Sequence, residues 1–198
     1  MQIPSNLLFL RYNTKEILAI SKKAFETERY AFLISNEKHL TIEIIRRDDF
    51  NLSYLLGKLS SLDVVNMDVC KLFDNLKYFR IDFSETVNDE ETGFIEEMIH
   101  NAFKPGHKST PKLPQIYPNE INIDCEHSKT YAVMYLNCKD QKGLLSFVIY
   151  LFDSMGIDIV TAKVHTLKNR VRDMFLIEKN GNFCHNVETI TDKLTGIK

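Results

Sequence analysis

Two stretches of this chain, ninety-two residues apart, align without a gap over about thirty positions. Leu52 falls on Leu144, Leu55 on Phe147, Leu56 on Val148 and Leu59 on Leu151. Further on, Asn66 falls on Asp158, Met67 on Ile159 and Lys71 on Lys163. A period this long marks a duplicated domain, not a solenoid repeat. A copy of this size cannot hide both faces of its own sheet. Helices are therefore expected to cover one face, with sheet edges joining side by side within the chain or in a homodimer.

Hydrophobic periodicity gives each copy the order ββαββα, an α+β arrangement with an antiparallel sheet and helices on one face. In the first copy, YAFLI at Tyr30–Ile34 and HLTIEIIR at His39–Arg46 read as strands. In the second of these, Leu40, Ile42 and Ile44 point one way and Thr41, Glu43 and Ile45 the other. Leu52, Leu55, Leu56, Leu59 and Leu62 make an amphipathic helix. Val64–Phe73 and Lys77–Ser84 form a hairpin about Asp74-Asn75, with Phe79, Ile81 and Phe83 on one face. Phe94, Ile95, Met98, Ile99 and Phe103 share the face of the next helix. Ahead of this copy, Asn13 or Thr14 with Glu16 forms a capping box for a helix whose stripe is Ile17, Leu18, Ile20, Ala24 and Phe25. The second copy adds a short strand at Ile121 and Ile123, then YAVMYLNC, the turn KDQKG, the helix LLSFVIYLFDSMG, a long hairpin to Lys179, a turn at Asn180-Gly181, and a final helix carrying Val187, Ile190, Leu194 and Ile197. Pro105, Pro111, Pro114 and Pro118 mark an extended linker. The resulting division is 1–29 lead-in and helix, 30–104 first copy, 105–119 linker, and 120–198 second copy.

Composition narrows the function. A net charge of −2 offers no general attraction for nucleic acid or an anionic membrane, and the longest apolar run, Leu144–Phe152, is too short to span a bilayer. Cys70, Cys125, Cys138 and Cys184 are scattered without a CxxC pair, which reads as reduced thiols in a cytoplasm and no metal site. No GxSxG, P-loop, GxGxxG or HExxH occurs, and the one acidic pair in a turn, Asp48-Asp49, lacks a glycine-rich phosphate cradle. The chain carries no catalytic residues and no cofactor of its own. What remains is binding.

The second copy resembles the ACT domain, a ferredoxin-like module that binds amino acids and regulates metabolic enzymes. Asp140-Gln141-Lys142-Gly143-Leu144-Leu145 stands where that family has Asp-Arg-Pro-Gly-Leu-Leu. Gly156-Ile157-Asp158-Ile159, Ala162–Thr166 and Arg170–Phe175 support the match. Leu8-Phe9-Leu10-Arg11-Tyr12 with Thr14-Lys15-Glu16-Ile17, and Ile121 with Ile123-Asp124, are similar to the segments leading into the tandem ACT domains of the bifunctional PII-protein uridylyltransferase/uridylyl-removing enzymes. The resemblance implies the C-terminal regulatory portion of such an enzyme, with Met1 a supplied start, glutamine as ligand, and contact with the PII signalling protein through the full enzyme. Mg²⁺ would be needed only in catalytic domains outside this chain.

A glycine after a strand, opening a helix, presents free backbone N–H groups to a carboxylate. Gly143 and Leu144 would supply them, Asp140 would accept from an α-ammonium, and Asp158 would meet a polar ligand side chain. Taken singly, each acid has a plainer reading: Asp140 as the helix N-cap and Asp158 as a solvated strand end. The equivalents in the first copy are Asp48, Asn51 and Asn66, with Asn51 expected to take the positive φ that Gly143 provides. The alternative to sensing is a ligand-free structural, dimerisation or docking module, favoured by Lys142 in place of the turn proline and by the turn without glycine in the first copy. An RNA-binding sheet of the same topology lacks exposed aromatic residues and a basic face.

Overall fold

The computed structural model describes residues 12–72, 76–106, 111–179 and 181–197. The lead-in Leu8–Arg11, the Asp74-Asn75 turn and Asn180 lie outside them. The first helix, α1 (Thr14–Glu26), starts with the expected capping box: Asn13 Oδ1 accepts from the amides of Lys15 and Glu16, and Glu16 Oε2 accepts from the Asn13 amide at 2.8 Å. Its buried stripe is narrower than the sequence suggests. Ile20 and Ala24 are covered, whereas Leu18 and Phe25 face outward.

The first copy is built from β1 (Tyr30–Ser35), β2 (Thr41–Arg46), α2 (Leu52–Lys58), β3 (Val64–Lys71), β4 (Lys77–Phe83) and α3 (Asp89–Ala102). The second repeats that order in β5 (Ile121–Asp124), β6 (Tyr131–Leu136), α4 (Leu144–Ser154), β7 (Ile159–Lys163), β10 (Asp173–Glu178) and α5 (Val187–Thr195). The long hairpin expected after Ile159 is broken by a two-stranded ribbon, β8 (Thr166–Leu167) and β9 (Arg170–Val171). Its turn residues Lys168 and Asn169 both take positive φ, as a tight two-residue hairpin turn demands. The sheets run β1-β2-β4-β3 and β5-β6-β10-β7, and every pairing is antiparallel. The α+β fold with two ferredoxin-like copies is therefore observed.

The pleat sets the layers. Leu40, Ile42 and Ile44 enter the main core beneath α2 and α3, and Ile45 on the opposite face packs under α1 with Tyr12, Tyr78 and Cys70. Helix α4 ends in a left-handed glycine, Gly156. The amide of Ile157 returns to the Phe152 carbonyl at 2.9 Å, a glycine-dependent helix stop.

The copies lie side by side, with α2 against α4 and β3 alongside β7. Ser53 Oγ donates to the Ser146 carbonyl and Ser146 Oγ to the Ser53 carbonyl, each at 2.8 Å. Thr161 Oγ1 donates to the Val69 carbonyl at 2.7 Å, so a side chain, in place of a ladder, joins the two sheet edges. One core runs through both copies. Residues 111–117 of the linker form no regular element, but Ile116 is buried against that core.

Cysteine usage corrects the sequence reading. Cys125 and Cys184 are joined in a disulfide spanning fifty-nine residues, while Cys70 and Cys138 are free and buried. Scattered spacing gave no hint because β5 and the approach to α5 meet only in the folded copy. Closing a loop of that length is expected to stabilise the oxidised form by about 2–4 kcal/mol, measured as the difference in denaturation midpoint with and without reductant. At the seam, Ser53→Leu is expected to lower stability by about 1–3 kcal/mol in urea titration, since the added carbons have no room between α2 and α4.

Candidate functional site

A cleft of about 300 Å³ opens along the seam between the copies. The first copy contributes Leu56 of α2, Leu59 at the C-cap of that helix, then Leu62, Asp63 and Val64 where the chain enters β3. The second contributes the turn Asp140–Ser146, Val164, Thr166, Asn169, Val171 and Asp173. The volume is at the small end of ligand sites, and the lining is more polar than is usual for them.

The turn is held from both sides. On one side the β8–β9 ribbon fixes it: the Asp140 amide donates to the Asn169 carbonyl at 3.0 Å, and the Val171 amide to that of Cys138. On the other, Gln141 exchanges two 2.8 Å bonds with the backbone of Gln115 in the linker. Sequence reading missed both braces, which link residues far apart in the chain.

Gly143 is the N-cap of α4, at φ 80°, and no side chain among the described residues caps this helix. A Cβ built there would meet nothing within 4 Å. The Leu144 amide, expected to meet a carboxylate, instead donates to the Gln141 carbonyl at 3.0 Å. This leaves the first-turn amides of Leu145 and Ser146, two residues that line the cleft, without an intrahelical partner at an anion-favouring helix terminus. Asp140 does not cap the helix; it is half-buried at the cleft.

The structure brings Asp140, Gly143 and Leu144 together but places Asp158 elsewhere. Asp158 is in contact with the ammonium of Lys77 and lies 3.8 Å from that of Lys71, in an ionic link between the copies. It is neither a cleft residue nor a simply solvated strand end. The first-copy candidates are likewise occupied. Asp48 binds the Arg29 guanidinium at 2.8 Å, Asn66 donates to Asp82 at 2.9 Å, and Asn51 caps α2 through a 2.8 Å bond from the Tyr54 amide. Asn51 has φ −85° where positive φ was expected; with its own side chain satisfying the helix end, the turn needs no left-handed residue.

The residue that sequence reading passed over is Asp173. It lines the cleft at 3% exposure, and its Oδ1 accepts from the His165 amide at 3.2 Å. Burial, reinforced by the neighbouring Asp140 charge, pushes its carboxyl up to about 7 against the opposing His165 hydrogen bond. Its signal was present in the sequence: Asp173 alternates with Val171, Phe175 and Ile177, a lone carboxylate on the core-facing stripe. Among the described residues, no group of three His, Cys, Asp or Glu side chains is placed to hold a metal, and no helix is long and apolar enough to cross a membrane.

No family model matches the chain. Parts of it are similar to bifunctional uridylyltransferase/uridylyl-removing enzymes. The enzyme of Rhodospirillum rubrum is 28% identical over 100 residues, covering 48% of this chain. That of Thiobacillus denitrificans is 30% identical over 76 residues, or 38% of this chain, and that of Psychrobacter sp. 31% over 98 residues, or 44%. These matches take in 10%, 9% and 11% of the respective relatives, so the chain spans about a tenth of their length. Among solved structures, aspartate kinase from Synechocystis overlays 78% of this chain with 27% of its own, at a TM-score of 0.42 and 12% identity.

The state of Asp173 gives a stability test. Its folded-state carboxyl titrates above the unfolded one, so burial costs nothing below about pH 4, an increasing amount up to about pH 7, and its full amount above that. Asp173→Asn is therefore expected to melt higher than the wild type at pH 8, with the gap closing as pH falls to 4 in a calorimetric series.

Proposed function

We propose that this chain is an amino-acid-sensing regulatory region, that its ligand is a small α-amino acid, with glutamine the first choice, and that it sets uridylylation against deuridylylation of the PII nitrogen-signalling protein within a longer cytoplasmic enzyme. Mg²⁺ would act there in catalytic domains, with no cofactor in this chain. The observation that carries the reading is the uncapped N-terminus of α4 opening onto a seam cleft. The Leu145 and Ser146 amides suit a carboxylate, and Asp140 stands one turn away for the ammonium. The uridylyltransferase relatives supply the biological context.

The second reading, a ligand-free structural or docking module, is favoured by Lys142 in place of the turn proline, which leaves φ there unfixed. The two readings separate in one experiment. Thermal shift and calorimetry with the standard amino acids at millimolar level are expected to show stabilisation by glutamine, amounting to about 2.7 kcal/mol at a hundredfold excess over Kd. Gly143→Val is expected to abolish that shift, because a side chain there enters open space at a residue that lines the cleft. Its cost in folding is about 1–2 kcal/mol for a left-handed non-glycine. Lack of stabilisation by any amino acid would leave the docking module standing.

A further inference from the structure

Each copy opens a central strand with a charge, and the two charges have opposite sign: Lys77 begins β4 and Asp173 begins β10. The last pair of the β2–β4 ladder is Arg46 opposite Lys77; the last pair of the β6–β10 ladder is Leu136 opposite Asp173. Each charge sits on its strand's core-facing stripe, Lys77 in line with Phe79, Ile81 and Phe83, and Asp173 in line with Phe175 and Ile177. In the first copy the charge is neutralised within the chain: the Lys77 ammonium rests on Asp158, reaching across the seam. In the second copy it is not. Asp173 forms no ion pair with any described residue, and its one hydrogen bond comes from the His165 amide.

The groups around Asp173 do not supply a cation either. Asp140 faces it from the turn before α4, as a like charge. The Cys138 thiol, beyond the end of β6, is itself pushed up to about 12 by burial and by surrounding carboxylates including Asp173. His165 offers only its backbone and is exposed, Arg170 is turned to Asn137 and Glu120, and Lys142 and Asp63 are exposed at the rim. A buried carboxylate without a counter-charge stays protonated or waits for one.

We propose that Asp173 is the residue that makes the cleft select a cationic group, a ligand ammonium lodging between Asp140 and Asp173. The inference rests on the amino-acid reading of the cleft and adds to it a proton balance. The neutral Asp173 carboxyl loses its proton to solvent as the ammonium arrives, leaving a carboxylate–ammonium pair. The ligand keeps all its bonds. Affinity then rises with pH up to about 7, by up to tenfold per pH unit, and levels off above it. Because Lys77 and Asp158 already satisfy each other, each chain takes one ligand.

The test is titration calorimetry of the chain with glutamine at pH 6 and pH 8, each in two buffers of different ionisation enthalpy. The expected result is one site, close to one proton released at pH 6, and little at pH 8. Asp173→Asn keeps an acceptor for the His165 amide and is expected to bind glutamine at least about tenfold more weakly at pH 8, with no proton release. Asp140→Asn is expected to weaken binding while retaining the release, and N-acetylglutamine, which lacks the ammonium, is expected not to bind. Glutamine binding that releases no proton at pH 6, or that Asp173→Asn leaves unchanged, overturns the role of Asp173 and spares the amino-acid reading. Absence of glutamine binding to the wild type at both pH values overturns both.

Discussion

The reciprocal hydrogen bonds of Ser53 and Ser146 set how closely α2 and α4 approach, and most of the molecule's special features follow from that distance. Small side chains at the crossing let the two helices share one core, and each hydroxyl is satisfied by the opposite backbone, so burying them leaves no unpaired donor. With the helices this close, β3 and β7 run alongside each other, and the threonine bond from Thr161 to Val69 closes the gap between sheets that do not share a ladder. The cleft is a product of this joint. Neither copy could enclose it alone, because one wall is the end of α2 and the other the start of α4.

Duplication supplied two equivalent turns, and chemistry has made them unlike. Asn51 closes the end of α2 with its own amide oxygen, whereas Gly143 leaves the end of α4 open. Arg46, its guanidinium over the Phe79 ring and bonded to the Asp48 carbonyl, adds a second cation near Lys77; burial lowers its pKa against the pull of four surrounding aspartates. Asp153 belongs to the same group, pushed up to about 6 by burial and by Asp158 in spite of Lys77 and Arg46. Lys71 and Lys77 of the first copy thus fasten Asp158 and Glu178 of the second.

The layers were legible in the sequence because they depend on local period. Alternation named Leu40, Ile42 and Ile44 as core, and helical spacing named Leu52, Leu55, Leu56, Leu59 and Leu62; all are buried except Leu62, which is half-buried. The stripe of α1 was overdrawn because Leu18 and Phe25 satisfy the same spacing without anything to cover them. The turn at Gly143 was legible as a candidate because a glycine between a strand and a helix has few other uses. What period cannot show is which distant residues converge. Asp158 looked like a ligand residue by position in its own copy, and only the seam reveals the lysine that holds it. The pairing of Cys125 with Cys184, and of Gln141 with Gln115, hides for the same reason.

Asp173 lies between these cases, and shows where sequence reading could go further. A charge on a core-facing stripe is an inconsistency between pattern and burial, and such inconsistencies concentrate where a protein does something besides fold. The chain presents two of them, Lys77 and Asp173, each at the start of a central strand and with opposite sign. A structural account of the pair would have each charge neutralised by the other copy. That holds for Lys77, whose partner is in the chain. For Asp173 the described residues supply a backbone amide, a second carboxylate and an open space, so the group is either neutral or paired with a cation that enters that space.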